Sequence, residues 1–241
     1  MLSTTPAIVL RTIKYGDHSL VVDMLTELYG RLSFLVRIPR TKKGRLKKQF
    51  FQPLTRLETT FDHRPSANLQ HLSDAQLLLP YSSIPFDPVK LPVSLFLAEF
   101  LHYATRGEQQ NESLFSFVCK SIEWYDRIDK QFANFHLVFT MRLTRFIGFF
   151  PNLEDYHPGD FFDLRNGCFT SEAPLHGDIL PPADAQRVGT LMRLSYQTMH
   201  VYRMTRHDRN RITDLILHYY RLHVPAFPDL HSTDVLKSIF G

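Results

Sequence analysis

The sequence predicts an α+β chain of more than one domain: a small N-terminal β-barrel, then an all-α helical domain that carries a β-hairpin insertion. Three observations lead there. Short apolar and β-branched runs, broken by turn residues, fill the first eighty positions. Four prolines, Pro80, Pro85, Pro88 and Pro92, then interrupt the chain. Beyond them the apolar spacing changes from the alternation of strands to the three-to-four spacing of helices.

The strands come first. Ala7–Ile13 is β-branched and apolar, and Tyr15-Gly16-Asp17 makes a turn after it. Ser19–Thr26 is a second strand, with Gly30 allowing the next turn. Arg31–Ile38 alternates, with Leu32, Phe34, Val36 and Ile38 on one face, and Pro39 closes it. Leu54–Phe61 and Leu69–Leu72 supply two more. Five short strands in this length are the content of an OB-type barrel, and equally of an SH3-like one. Residues 1–80 are therefore read as a barrel domain and 81–241 as the helical domain.

Five apolar stripes at helical spacing follow. They run Phe96 to Ala104, Leu114 to Tyr125, Phe132 to Phe150, Val188 to Met199 and Ile212 to Leu222. Aromatic stripes of this kind bury against one another as core rather than marking a cofactor site. Between the third and fourth lies a stretch rich in Pro, Gly and Asp, at about 151–182. Its Asn166-Gly167 pair, flanked by Phe161–Leu164 and Cys168–Thr170, is a hairpin signal.

Charge is distributed unevenly. The net charge of the 241 residues is only +4, but residues 1–80 hold 12 Lys+Arg against 6 Asp+Glu. Most of the excess sits between the third and fourth strands, in Arg37-Ile38-Pro39-Arg40-Thr41-Lys42-Lys43-Gly44-Arg45-Leu46-Lys47-Lys48. Its cations, Arg37, Arg40, Lys42, Lys43, Arg45, Lys47 and Lys48, are mixed with no acid. Such a segment neutralises phosphates and releases counterions, which gives affinity without base selection. An acidic protein partner is the competing reading, which would make the chain a protein–protein adaptor. Tyr15, Tyr29, Phe34, Phe50 and Phe51 lie near enough in sequence to supply base stacking, although Phe34 falls on the apolar face of its strand.

Other chemistry finds little support. Asp155, His157, Asp160, Cys168 and His176 gather in the insertion, but at no zinc-site spacing, and they read as polar loop residues. The same holds for a hydrolase built on His157, Asp160 or His176. No P-loop, Gly-x-Ser-x-Gly, dinucleotide or zinc-protease motif is present. The expectation is a protein that is not an enzyme and takes no cofactor. Arg193, Arg203, Arg206, Arg209 and Arg211 fit either a helix end followed by a capped start or a second anion-binding surface. With only Cys119 and Cys168, no signal-like start and no long apolar run, the chain is expected to be reduced, free of membrane and cytoplasmic, where DNA would make it nucleoid-associated.

An ordered series of motifs then resembles a known family. Ala7-Ile8-Val9-Leu10, Tyr15-Gly16-Asp17-His18-Ser19-Leu20, Leu25-Thr26-Glu27, Gly30-Arg31, the basic segment and Phe51-Gln52-Pro53-Leu54 occur in that order. Met141 to Pro151 follows, ending Ile147-Gly148-Phe149-Phe150-Pro151. The series resembles the RecO proteins of bacterial DNA repair and recombination. The resemblance implies an OB fold followed by helices, and binding of single- and double-stranded DNA. It implies strand annealing, cooperation with RecR, contact with single-strand-binding protein and help in loading RecA. Many members carry a four-cysteine zinc site after the segment that ends here at Pro151. This sequence has Glu154, Asp155 and His157 at that place and one cysteine further on, so no structural zinc is expected, and the Asn166-Gly167 hairpin is expected to stabilise the region instead.

Overall fold

The computed structural model describes residues 2–39, 46–154 and 156–239. The chain divides into two compact units, Met1–Arg127 with Leu230–Leu236, and Ile128–Asp229 with Lys237–Gly241.

The first unit is built on five strands, β1 (Leu2–Tyr15), β2 (Ser19–Thr26), β3 (Gly30–Arg37), β4 (Arg56–Asp62) and β5 (Gln70–Leu79). They close in the order β1-β2-β3-β5-β4, with β3 and β5 parallel through Phe34–Gln70 and Leu35–His71. This closure is that of an OB-type barrel and leaves no free sheet edge. Alternation places Leu20, Val22 and Met24 of β2 and Phe34 and Val36 of β3 inside, with Phe51, Leu57 and Phe61 filling the centre. A short 3-10 helix, Lys48–Phe51, delivers Phe51 to that core.

β5 runs seven residues past the expected end at Leu72. Ser73, Asp74 and Gln76 break the apolar run and Leu77 and Leu78 are both exposed, so no alternation marks the strand, but pairing with β4 from Leu72 to Leu79 holds the backbone. Gly30 sits in the β2–β3 turn at φ +65°, where a Cβ would stand 2.3 Å from the carbonyl oxygen of Glu108. Only glycine admits both that backbone and that approach. Arg31 N–H donates to the same Glu108 oxygen at 3.1 Å.

Helices α1 (Lys90–Ala104) and α2 (Glu112–Arg127) belong to this unit. α1 begins at Lys90 with Pro92 in its first turn, where the missing N–H has no partner to lose. The proline-rich stretch before it is fastened to the end of α2. The Asp126 carboxylate accepts from the backbone N–H groups of Ser82, Ser83 and Ile84 at 2.8, 2.9 and 2.9 Å. Burial opposes ionisation there, but these donors hold Asp126 down at about 2. Glu99 of α1 likewise accepts from His231 N and Ser232 N at 3.0 and 2.9 Å, bringing the 230–236 segment back to the first unit.

The second unit holds α3 (Phe135–Leu143), a three-stranded sheet, α4 (Pro182–Arg193) and α5 (Arg206–His223), and its last residues follow from α6 (Thr233–Ile239). The sheet has the order β7-β6-β8, from β6 (Phe161–Asp163), β7 (Cys168–Thr170) and β8 (Ile179–Leu180). β6 and β7 form the expected hairpin, with Gly167 at φ +64°, and β8 adds a strand. The expected third helix is cut short. After Leu143 the bonds become three-residue ones, Arg145 to Arg142 and Phe146 to Leu143, and Gly148 at φ +90° ends the turn before Pro151. α5 starts at a capping box in which Thr205 and Asp208 bond reciprocally. No helix among the described residues is long and apolar enough to cross a membrane.

Candidate nucleic-acid interface

The outer surface of β1–β3 is assembled by register. Residues opposite Val22 and Phe34 point inward, so their neighbours point out. Three cross-strand rows result. Tyr15, Ser19 and Arg37 form one, Ile13, Val21 and Leu35 the next, and Arg11, Asp23 and Ser33 the third. In an OB-type barrel the strand 2–3 face is where oligonucleotides are bound.

The first row is the most open. Tyr15 is 62% exposed, and Arg37 is exposed where the chain leaves β3 toward the basic segment. Leu46 tucks back into the barrel core, with Lys47 and Lys48 exposed after it. Arg37, Lys47 and Lys48 form no ion pair among the described residues, so their charge is available to an outside anion. Arg40, Lys42, Lys43 and Arg45, the other cations proposed for this segment, lie outside the described residues.

The third row contains groups that sequence reasoning missed. Asp23 accepts from Ser33 Oγ and pairs with Arg31 at 3.5 Å. His102 of α1 is buried against them, with Nδ1 3.1 Å from Arg31 Nη2 and 3.3 Å from Asp23. Its Nε2 is 3.5 Å from Arg11 Nη1. Burial, reinforced by Arg31 and then by Arg11 and Arg106, pushes His102 down to about 4 against the pull of Asp23. Two guanidinium groups, those of Arg11 and Arg31, thus flank the imidazole, and Arg31 also reaches the Asp23 carboxylate. Arg31 Nε is buried without a hydrogen-bond partner. The four residues come from β1, β2, β3 and α1, so no local pattern announces them.

Of the five aromatics considered for stacking, the structure leaves Tyr15 open. Phe34 and Phe51 are fully buried, and Phe50 packs against the barrel core. Tyr29 stacks on His63 at 4.0 Å and shares a 2.7 Å hydrogen bond with Ser3.

The insertion residues are used locally. Asp163 accepts from Arg165 N, Asn166 N and Asn166 Nδ2 at 2.8, 3.1 and 2.7 Å, and pairs with His176 at 3.4 Å. Asp160 accepts from His157 N at 2.7 Å. Asp155 lies outside the described residues, and among those described no three His, Cys, Asp or Glu converge on a metal position. Cys119 and Cys168 are both free thiols. In the Arg193–Arg211 segment, Arg209 is buried on Asn134, Arg211 pairs with Asp184, and Arg206 donates to the Lys237 carbonyl. These three support a helix with a capped start.

Comparison with known sequences gives the same frame. The profile described as recombination protein O N terminal matches residues 1–81, and the one described as recombination protein O C terminal matches residues 85–233. A DNA repair protein RecO of Bacteroides fragilis is 50% identical over 241 residues, covering all of both chains. Those of Phocaeicola vulgatus and Porphyromonas gingivalis are 48% and 33% identical, again over the whole of each chain. With the five-strand barrel, the helical part and both profiles in agreement, the chain belongs to the RecO family of DNA repair and recombination proteins.

Proposed function

We propose that this chain is a non-catalytic recombination mediator that grips the phosphate backbone of single- and double-stranded DNA with little regard to sequence. The observation that carries the reading is the row Tyr15–Ser19–Arg37 on the outer barrel face, from which the basic segment departs. A stackable ring beside unpaired cations is the pattern of single-strand binders. Arg37, Arg40, Lys42, Lys43, Arg45, Lys47 and Lys48 supply the charge. Residues 1–80 supply the barrel grip on DNA, and 81–241, the helical part with its hairpin insertion, also meets protein partners.

In this role the protein anneals complementary strands and works with RecR and single-strand-binding protein to help load RecA. Membership of a family named for DNA repair supports that role, as does the ordered motif series. It acts in the cytoplasm, at the nucleoid.

Fluorescence anisotropy with a labelled single-stranded oligonucleotide at stepped salt tests the first claim. With about four phosphate contacts the log–log slope is near −3, at roughly 0.7–0.9 per contact. Replacing Lys42, Lys43, Arg45, Lys47 and Lys48 together by Ala weakens binding for all sequences alike and flattens that slope. An unchanged affinity in this variant removes the assignment. Strand annealing with and without the cognate single-strand-binding protein separates a mediator from a generic DNA binder.

A further inference from the structure

The second unit carries three arginines that its own carboxylates do not neutralise. Arg142 lies in the last turn of α3, Arg145 one turn further on, and Arg193 at the end of α4. None of them forms an ion pair among the described residues. Each is backed instead by an aromatic ring. Arg145 lies 4.0 Å from the centre of Phe150, Arg193 5.3 Å from that of Tyr156, and Arg142 5.7 Å from that of Tyr196.

The segments that carry them, the end of α3 and the end of α4, lie beside one another. Arg142 Nε donates to the carbonyl of Leu194 at 3.2 Å, which ties it to the residue after Arg193. Arg145 N–H donates to the Arg142 carbonyl at 3.2 Å, which fixes the turn between those two. Arg145 and Arg193 are exposed and Arg142 half-buried. Arg209 and Arg211, the neighbouring arginines on α5, are consumed by Asn134 and Asp184 and are not part of this group.

A guanidinium seated on a ring face is restrained by the ring while its in-plane N–H groups can still donate, and Arg142, whose Nε is taken by Leu194, keeps its two terminal nitrogens for this. That favours a phosphate oxygen over a simple solvated charge, because less side-chain freedom is lost on binding. The rings themselves, Tyr156, Tyr196 and Phe150, are only half-buried, and single-strand binders set such rings beside their cations for bases to stack on. Duplex DNA hides its bases from such rings, whereas a single strand presents both parts.

We propose that Arg142, Arg145 and Arg193 form a second nucleic-acid site, specific for the backbone of a single strand and independent of the barrel face. The inference deepens the function proposed above and rests on it in one respect. A protein that anneals strands needs to hold two of them, and a second site on the same chain lets it do so.

The test uses the full chain and a tethering experiment. One oligothymidylate is immobilised, protein is added, and retention of a second, non-complementary labelled oligothymidylate is measured. Arg142→Gln, Arg145→Gln and Arg193→Gln together are expected to lower second-strand retention about tenfold, while capture on the first strand changes less than twofold. The corresponding triple Lys variant keeps the charge but not the ring-seated fork, and recovers part of the retention, which a merely misfolded surface would not do. Wild-type retention in the Gln variant overturns the proposal. So does ultraviolet crosslinking of the oligonucleotide confined to peptides from residues 1–80. Loss of first-strand capture in the barrel variant, Lys42, Lys43, Arg45, Lys47 and Lys48 to Ala, reports on the barrel assignment alone, so the two sites stand or fall separately.

Discussion

The basic segment of the barrel and the loop-rich insertion of the second unit are both dense in charged residues, yet their described residues differ in how that charge is used. In the insertion the aspartates that the structure describes find partners within their own unit. Asp163 takes three bonds from residues two and three places on, Asp160 takes one from His157, and Asp178 pairs with Arg165 and His218. On the barrel, Arg37, Lys47 and Lys48 have no such partners. Density of charge therefore does not mark a binding surface. On the function proposed above, what marks it is charge that the local fold leaves unused, because only unused donors meet a ligand without first breaking an internal bond.

The sharpest way to break this contrast is to remove the unused charge. Changing Arg37, Lys47 and Lys48 to Gln is expected to lower affinity for single-stranded DNA by tenfold to about a hundredfold at moderate salt, since each phosphate contact contributes roughly 0.7–0.9 to the salt exponent. Thermal unfolding of the same variant should match the wild type. A stability loss with intact binding would show that these side chains serve the fold.

The converse substitution is in the insertion. Asp163→Ala strips the hairpin turn of its acceptor and leaves the N–H groups of Arg165 and Asn166 without that bond. A loss of about 2 kcal/mol is expected in urea unfolding, from the cost of orphaned polar groups near a buried site. DNA affinity should not change. If affinity falls instead, the insertion belongs to the interface and the contrast fails.

How much of this was legible in the sequence depends on distance along the chain. The second and third strands are read almost to the residue, because Leu20, Val22 and Met24, and Phe34 and Val36, alternate within one element. The Asn166-Gly167 turn is equally local. The third helix was overread because Phe146 and Phe150 keep helical spacing while Gly148 turns the backbone out of the helix. β5 was underread because its outward residues interrupt the pattern that its pairing with β4 sustains. Tyr15 could be named as a stacking candidate but not separated from Phe51, since burial is decided by closure of the barrel. The Arg11–His102 contact joins residues 91 apart, and no local signal carries it.

A smaller effect sharpens the aromatic half of the site. Tyr15→Ala should weaken single-strand binding by about 1–2 kcal/mol, within the range for one stacked base, with the salt slope unchanged. Tyr15→Phe should bind as the wild type, because the ring face and not the hydroxyl is used. Anisotropy titrations at two salt concentrations distinguish this from loss of a phosphate contact, which would alter the slope.

The smallest effect concerns the partnered row of the same face. The folded state holds His102 at about 4, below the ordinary imidazole value near 6.5 that it has when unfolded. Between those values the unfolded chain binds the proton and the folded chain does not. Stability is therefore expected to fall as pH drops from about 6.5 toward 4, through this residue, on the order of 1 kcal/mol after solvent screening. His136, pushed by burial and then by Arg209 down to about 3, adds in the same direction from the second unit. His102→Gln keeps a polar side chain between Arg31 and Asp23 but removes the titration. Urea unfolding at pH 7 and pH 5 should then show a shallower pH dependence than the wild type, with the His136 part remaining. If the dependence is undiminished, His102 takes up its proton alike in the folded and unfolded chain, and its burial does not oppose the charge.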